Sequence, residues 1–413
     1  MNLIPAGGFT SVSGQLSRKT GDMEGSVLLV CGDLGGTGVA RNTISNAIAL
    51  QKAGLAVEVI SLSGGVLAEQ LGDIPLTLLK PARSKSRWLS FVEVARRLRA
   101  EISRRPSPIV TVSMGNHAHL GLWLSLVGDR STRRIYRLSN DLDHRDRRRL
   151  SSLVRRAKAW LVARDADLVL CVSVALALHP SLARARRRRR CVVLSNGVDV
   201  ARVQARADEP SLLRLPPGPP VIVAIGRLHG QKNYEALVQA IAHCRNRGTL
   251  LRLVIIGRDS GGVQTALQTL ATELGVEGLL AFAGELENPF PILRQASAYA
   301  CLSHWEGCPN SVLEAMACGT PVVVSRTAGA GPELVGEGKY GRLVDPTDIE
   351  AIADALIAQA SRSEACVRPG ERAWDFDLSG STGQFSKYVA GFLQRAQSVA
   401  STKLTDLWPA PGG

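Results

Sequence analysis

The chain of 413 residues is 45% hydrophobic, 21% charged and only 4% aromatic, long enough for two domains with sizeable cores and too apolar for a disordered protein. Its formal net charge of +14 is unevenly placed: residues 1–205 hold 32 Lys/Arg against 15 Asp/Glu, and residues 206–413 hold 18 against 21. A basic, partner-facing surface is therefore expected on the first half alone.

Residues 1–24 are polar and rich in Gly and Ser, and read as a loose tail without the apolar stretch of a signal peptide. Ser26–Cys31 then reads as a buried strand, Gly32–Gly38 as a loop, and residues 39–53 as a helix stopped by Gly54. With a strand at Val57–Leu62, this opening predicts a parallel α/β sheet. Residues 86–102 place Trp88, Phe91, Val92, Ala95, Leu98 and Ile102 at helical spacing between basic flanks, which predicts an amphipathic helix. Further strands are expected at Pro108–Val112, Arg134–Leu138, Leu168–Val172 and Cys191–Leu194, with a basic helix over 145–164. The Pro-rich stretch 206–220 reads as a linker.

After the linker the β/α alternation restarts. Strands are expected at Val221–Ile225, Leu251–Ile256, Leu280–Ala283, Tyr299–Leu302 and Val322–Ser325, with helices over 233–247, 263–274, 289–297, 310–318, 348–360 and 383–396. The fold class is thus α/β, with two Rossmann-like parallel-sheet domains facing a cleft. The expected division is a tail over 1–24, a first domain over 25–205, the linker 206–220, a second domain over 221–380, and a terminal helix and tail over 381–413. The eight cysteines show no Cys-x-x-Cys spacing and lie mostly in apolar runs, which predicts reduced thiols in a reducing compartment. No uninterrupted apolar run reaches the length of a membrane span.

The string from Trp305 to Val324 carries the strongest chemical signal. Glu306 and Glu314 stand eight apart. Pro309 suits the first turn of a helix and Gly319 its C-terminal end. The free N–H groups around Asn310 and Ser311 can hold an anion between two carboxylates. Two glutamates on an ordinary helix would be unremarkable; the whole string is not. It resembles the Glu-x7-Glu signature of the retaining family 4 glycosyltransferases of GT-B fold, and within them enzymes of surface-polysaccharide and lipid-linked oligosaccharide assembly. The resemblance implies that Glu306 contacts hydroxyls of the transferred sugar and Glu314 the nucleotide's ribose.

A second string, Val223–Asn233, resembles the family's Gly-Arg-Leu…Lys-Asn segment. By that match Arg227 and Lys232 neutralise the donor diphosphate, the Arg as a bidentate fork and the Lys as a mobile charge. Leu194–Asp199 resembles an interdomain turn, so Asn196 and Asp199 are read as structural. Gly284…Asn288-Pro289 resembles the segment beside the base, and Glu333 a structural or helix-starting acid. In the first half, Gly35 and Gly36 belong to a Gly-rich turn that either lets backbone approach the donor phosphate or is an ordinary turn. His117 matches a position near the transferred sugar, with His119 as its alternative and a structural histidine as the plain reading. Arg137 and Asn140 resemble an acceptor-side segment.

Taken together, the resemblance implies a retaining hexosyltransferase that moves a sugar from a nucleotide sugar, UDP-linked, to a glycan or lipid-linked acceptor held by the basic first domain. No cofactor and no metal are expected, the nucleotide sugar being a co-substrate. A non-catalytic basic protein on the same scaffold, or another GT-B activity such as an epimerase, is the competing reading; retention of both acids and both cations argues against it. For the basic half, nucleic-acid binding lacks any recognisable module. A plain solvated surface or an anionic membrane surface remains, the latter favoured through insertion of residues 86–102. The expected location is cytoplasmic, peripheral at the inner face of the membrane.

Overall fold

The computed structural model describes residues 25–35, 37–79, 87–143, 149–211, 215, 217–259, 261–361 and 369–407. Two parallel sheets organise it. The first is built from β1 (Ser26–Cys31), β2 (Val57–Ser61), β3 (Leu76–Leu78), β4 (Ile109–Met114), β5 (Arg133–Leu138), β6 (Leu168–Cys171) and β7 (Cys191–Val193), in the order β3-β2-β1-β4-β5-β6-β7. The second comprises β8 (Val221–Ile225), β9 (Arg252–Ile256), β10 (Leu280–Gly284), β11 (Ala298–Cys301), β12 (Val322–Ser325) and β13 (Arg342–Val344), in the order β10-β9-β8-β11-β12-β13. The central strands are near-continuous Val, Ile and Leu because helices cover both sheet faces; every residue of β1 and β4 is buried.

This is the expected pair of Rossmann-like domains, and its topology positions the site. In each sheet the strand order reverses beside its first strand. β1 pairs with β2 on one side and β4 on the other, and β8 pairs with β9 and β11. The connections leaving the two strands at such a point run to opposite faces and leave a crevice at their carboxyl ends. The loops after β1, β4, β8 and β11 are therefore where ligand chemistry belongs.

Two expectations need correction. The amphipathic helix exists, as Arg87–Ser103, but its apolar face is not free: Val94, Ala95, Leu98 and Ile102 are buried in the first domain's core. It cannot serve as the membrane-inserting element, since these side chains are already buried, Leu98 and Ile102 in one core cluster with Leu122 and Leu126. Trp88 has no described side chain. The terminal helix, expected over 383–396, is the longer Leu378–Leu407 and returns to the first domain, where Phe385, Val389 and Leu393 are fully buried with Val110 and Val112. The chain thus crosses between domains twice. The second crossing is pinned where Val198 N donates to Phe376 O at 2.9 Å and Leu378 N to Val198 O at 2.9 Å. The tail and Gly36 lie outside the described residues.

Candidate active site

The loops leaving β8 and β11 meet. Lys232, in the short turn after β8, donates from Nζ to Glu306 Oε1 at 2.6 Å, and Ser303 Oγ donates to the same oxygen at 2.9 Å. Both charged side chains are mostly shielded, 20% and 14% exposed. Burial alone would pull the Lys232 ammonium below its ordinary range; the Glu306 carboxylate overrides that and holds it raised, against the nearby positive charge of Arg227. Arg227 itself is exposed at the end of β8. Gly226 is glycine for a local reason: at φ +153° a Cβ would stand 2.7 Å from Lys232 Cε. The lysine stem runs over bare backbone. The turn is fixed by Gln231, whose side chain donates to Trp305 O at 2.8 Å while its carbonyl accepts from His304 N at 2.9 Å.

Glu314 lies in the second turn of the helix Asn310–Ala317, which starts after Pro309. Its carboxyl is raised above the usual range by burial, countered in part by Arg41, whose Nη1 stands 3.6 Å away. Arg41 belongs to the first domain, on the helix Gly38–Lys52, so the pair spans the cleft. The sequence reading missed it; its place one turn beyond the Gly-rich loop was the available signal. Thr37 caps that helix by accepting from Ala40 N at 3.2 Å. Gly38 faces Asn310 so closely that a Cβ would meet its Nδ2 at 3.3 Å. Gly35 is exposed, its N–H held by Asp33 Oδ1 at 2.8 Å.

Asn310 and Ser311 are already engaged. Ser311 Oγ accepts from the buried Tyr299 hydroxyl at 2.7 Å. Asn310 Oδ1 accepts from Asn196 Nδ2 at 2.8 Å, and Asn196 Oδ1 accepts from Arg137 Nη2 at 2.9 Å. Arg137 is 3% exposed, lies against the Phe385 ring and is lowered to about 10 by burial. This residue, placed by resemblance on the acceptor side, instead anchors the turn between domains. Asn196 is structural as read, and Asp199 caps the helix Val200–Ala207. Glu333 reaches across to accept from Val174 N at 2.7 Å, a structural acid. Asn288 binds Arg206 O at 2.8 Å and Glu209 Oε2 at 2.7 Å, close to the linker.

Of the two histidines, His119 turns inward. Its Nδ1 is hydrogen-bonded to Ser113 Oγ at 2.7 Å, its ring lies edge-on to Tyr136, and burial lowers its pKa to about 3. His117 is exposed at the end of β4, where its Cβ would be 3.0 Å from a Cβ on Gly32. The open histidine is thus His117, at the β1/β4 crevice. The domains touch at Gly307, whose absent Cβ would fall 2.0 Å from Ser139 O.

Residues 206–375 match the family model described as "Glycosyl transferases group 1". A lipopolysaccharide core biosynthesis glycosyltransferase of Rhizobium meliloti is 31% identical over 225 residues, 54% of this chain and 62% of the relative. A GDP-mannose-dependent phosphatidylinositol monomannoside mannosyltransferase of Mycolicibacterium smegmatis is 33% identical over 237 residues, 52% and 59% of the respective chains. The matches thus span 62% and 59% of these relatives. Anabaena HepE, solved with UDP, superposes with a TM-score of 0.69 at 19% identity, covering 89% of this chain and all of that one. A Rickettsia africae glycosyltransferase gives 0.73 at 16% identity, covering 90% and 99%. Arg227, Lys232, Glu306 and Glu314 all lie inside the family match. The resemblance read from the sequence therefore holds: the chain is similar to the group 1 glycosyltransferases over its second domain and has the two-domain GT-B fold of solved glycosyltransferases.

Proposed function

We propose that this chain transfers a sugar, with retention of configuration, from a nucleotide sugar to a glycan or lipid-linked acceptor. The observation that carries this reading is the Lys232–Glu306 pair, with Arg227 beside it, at the point where the second sheet's strand order reverses. Lys232 and Arg227 would take the donor's diphosphate. Glu314, half-buried next to Arg41, would accept from the ribose, and Glu306 from hydroxyls of the transferred sugar. His117 would approach that sugar from the opposite domain. Asn310 and Ser311 would present the helix N–H groups, and Gly35 the backbone of the facing loop.

In the reaction the acceptor oxygen bonds to the anomeric carbon as the bond from that carbon to the phosphate oxygen breaks. The electron pair leaves on the phosphate, which takes the acceptor's proton from the same face. The enzyme's contribution is electrostatic: Lys232, held by Glu306, and Arg227 beside it would hold charge that grows as the diphosphate departs. Closure at Gly307 and Ser139 would keep water from the anomeric carbon. UDP is the favoured nucleotide, in line with the UDP complex of HepE; the similar mannosyltransferase of Mycolicibacterium smegmatis is named GDP-mannose-dependent, so both belong in the test. The test incubates the protein with UDP- and GDP-sugars and acceptor glycans, and reads the anomeric configuration of the product by NMR. A retained α-linkage from an α-donor supports the reading. Inversion, or no transfer with any donor, contradicts it.

A further inference from the structure

We propose that the outward face of the helix Arg149–Asp165, with the arginine cluster beside it, docks on an anionic lipid bilayer. This surface is separate from the transfer chemistry. The helix is amphipathic twice over. Ala159, Val162, Ala163 and Ala166 are buried in the core. On the opposite side, Leu153, Ala157, Trp160 and Arg164 follow one another at spacings of four, three and four, which aligns them in one stripe. Leu153 is 59%, Val154 50% and Trp160 51% exposed. Three of the nine large hydrophobics exposed among the described residues thus share this one helix, and such clustering marks an interaction surface rather than scattered surface residues.

The charge around the stripe is predominantly positive. Arg156 and Lys158 flank it, and Arg164 lies 5.8 Å from the Trp160 ring centroid. The neighbouring segment adds Arg187, Arg188 and Arg189, all exposed. Their proximity is registered by Arg184, whose pKa is lowered first by the charge of Arg188, then by desolvation and the charges of Arg164, Arg187 and Arg190. Asp165 and Asp167 are occupied elsewhere, by Arg134 and by Arg133 at 3.5 Å, whereas Asp143 pairs with Arg156 at 2.7 Å, leaving Lys158, Arg164 and the Arg187–Arg189 run as the cations for the surface.

An aliphatic and indole stripe set in repelling cations fits one occupant best. Acyl chains accept Leu153, Val154 and Trp160 while anionic headgroups neutralise the arginines. A second copy of this chain would bring like charge to like charge. Nucleic acid would satisfy the arginines but leave the aliphatic side chains without a partner, and one indole makes a poor stacking platform. The helix follows the Ser139–Asp143 loop, which touches Gly307, so a docked surface would lie beside the cleft mouth.

The test is flotation of the full chain with vesicles of phosphatidylcholine alone and of phosphatidylcholine mixed with phosphatidylglycerol, at low and high salt. Binding is expected only to the anionic vesicles and to fade with salt. Leu153→Ser with Trp160→Ser should weaken it at least about tenfold, and Arg187→Glu with Arg188→Glu at least about twenty-fold, with folding checked by circular dichroism. Quenching by brominated acyl chains should be smaller in Trp160→Phe than in the parent protein. Equal binding to both vesicle types, or unchanged binding and quenching in these variants, overturns the proposal. So does capture by duplex RNA or DNA without capture by anionic vesicles.

Discussion

Lys232 and Glu306 meet at 2.6 Å from two loops 74 residues apart in sequence, at the carboxyl ends of adjacent strands β8 and β11. Both side chains are largely shielded, and the Glu306 carboxylate holds the Lys232 ammonium raised against burial and the charge of Arg227. Lys232→Ala should lower kcat/KM by about 10²–10³, as expected for loss of one preorganised charge. The melting temperature should change little, because Ser303 still donates to Glu306. Lys232→Arg should not restore activity: the stem lies over Gly226, and the guanidinium head is wider than an ammonium. Steady-state kinetics and thermal melts check both.

Glu314 gives a pH signature. Burial raises its carboxyl above the usual range. The native state therefore holds the proton more tightly than the unfolded chain, so this group's contribution to stability falls as pH rises through the interval between the two pKa values. Donor binding needs the ionised form and should weaken as pH falls through the raised folded value. Donor KM measured against pH should show that limb in the parent protein. Glu314→Gln should remove it while raising KM at neutral pH.

Arg137 and Asn196 form a buried unit without a carboxylate. Asn196→Ala strands Arg137 Nη2 and Asn310 Oδ1 together, and should cost about 2–4 kcal/mol of stability. Arg137→Met removes a buried charge and should cost less than Asn196→Ala, because the desolvation penalty leaves with the guanidinium. Denaturant titration of the singles and the double should show a coupling energy of at least about 0.5 kcal/mol.

Gly307 is one of the places where the two domains meet. A methyl there would occupy the space of Ser139 O. Gly307→Ala should leave each domain folded and hold them apart. The radius of gyration from X-ray scattering should rise, and turnover should fall more steeply than donor affinity.

Most of the architecture was legible in the sequence because long buried strands write themselves as Val, Ile and Leu runs. β3 and β13 were not, being three residues each with only half-buried or exposed side chains outside Val344. The helix Leu378–Leu407 was visible as a helix, but nothing local says which domain it joins; Phe385, Val389 and Leu393 find their partners some 275 residues earlier. In the site, the motif acids and cations could be named from their strings, whereas Arg41 matters through its contact across the cleft and Arg137 through Asn196, which reaches Asn310. The helix 86–102 misled because amphipathicity gives a face and not what covers it. The sequence cannot distinguish a core-facing stripe from a lipid-facing one.

The central claim is that Lys232 and Arg227 hold the donor's diphosphate. Calorimetric titration with UDP and GDP of the parent protein and of Arg227→Ala with Lys232→Ala tests it most directly. The parent should bind at least one of the two, and the double variant at least about a hundredfold more weakly, two charge-assisted contacts having been lost. Equal affinity in both proteins, or no binding of either nucleotide by the parent, would contradict the account.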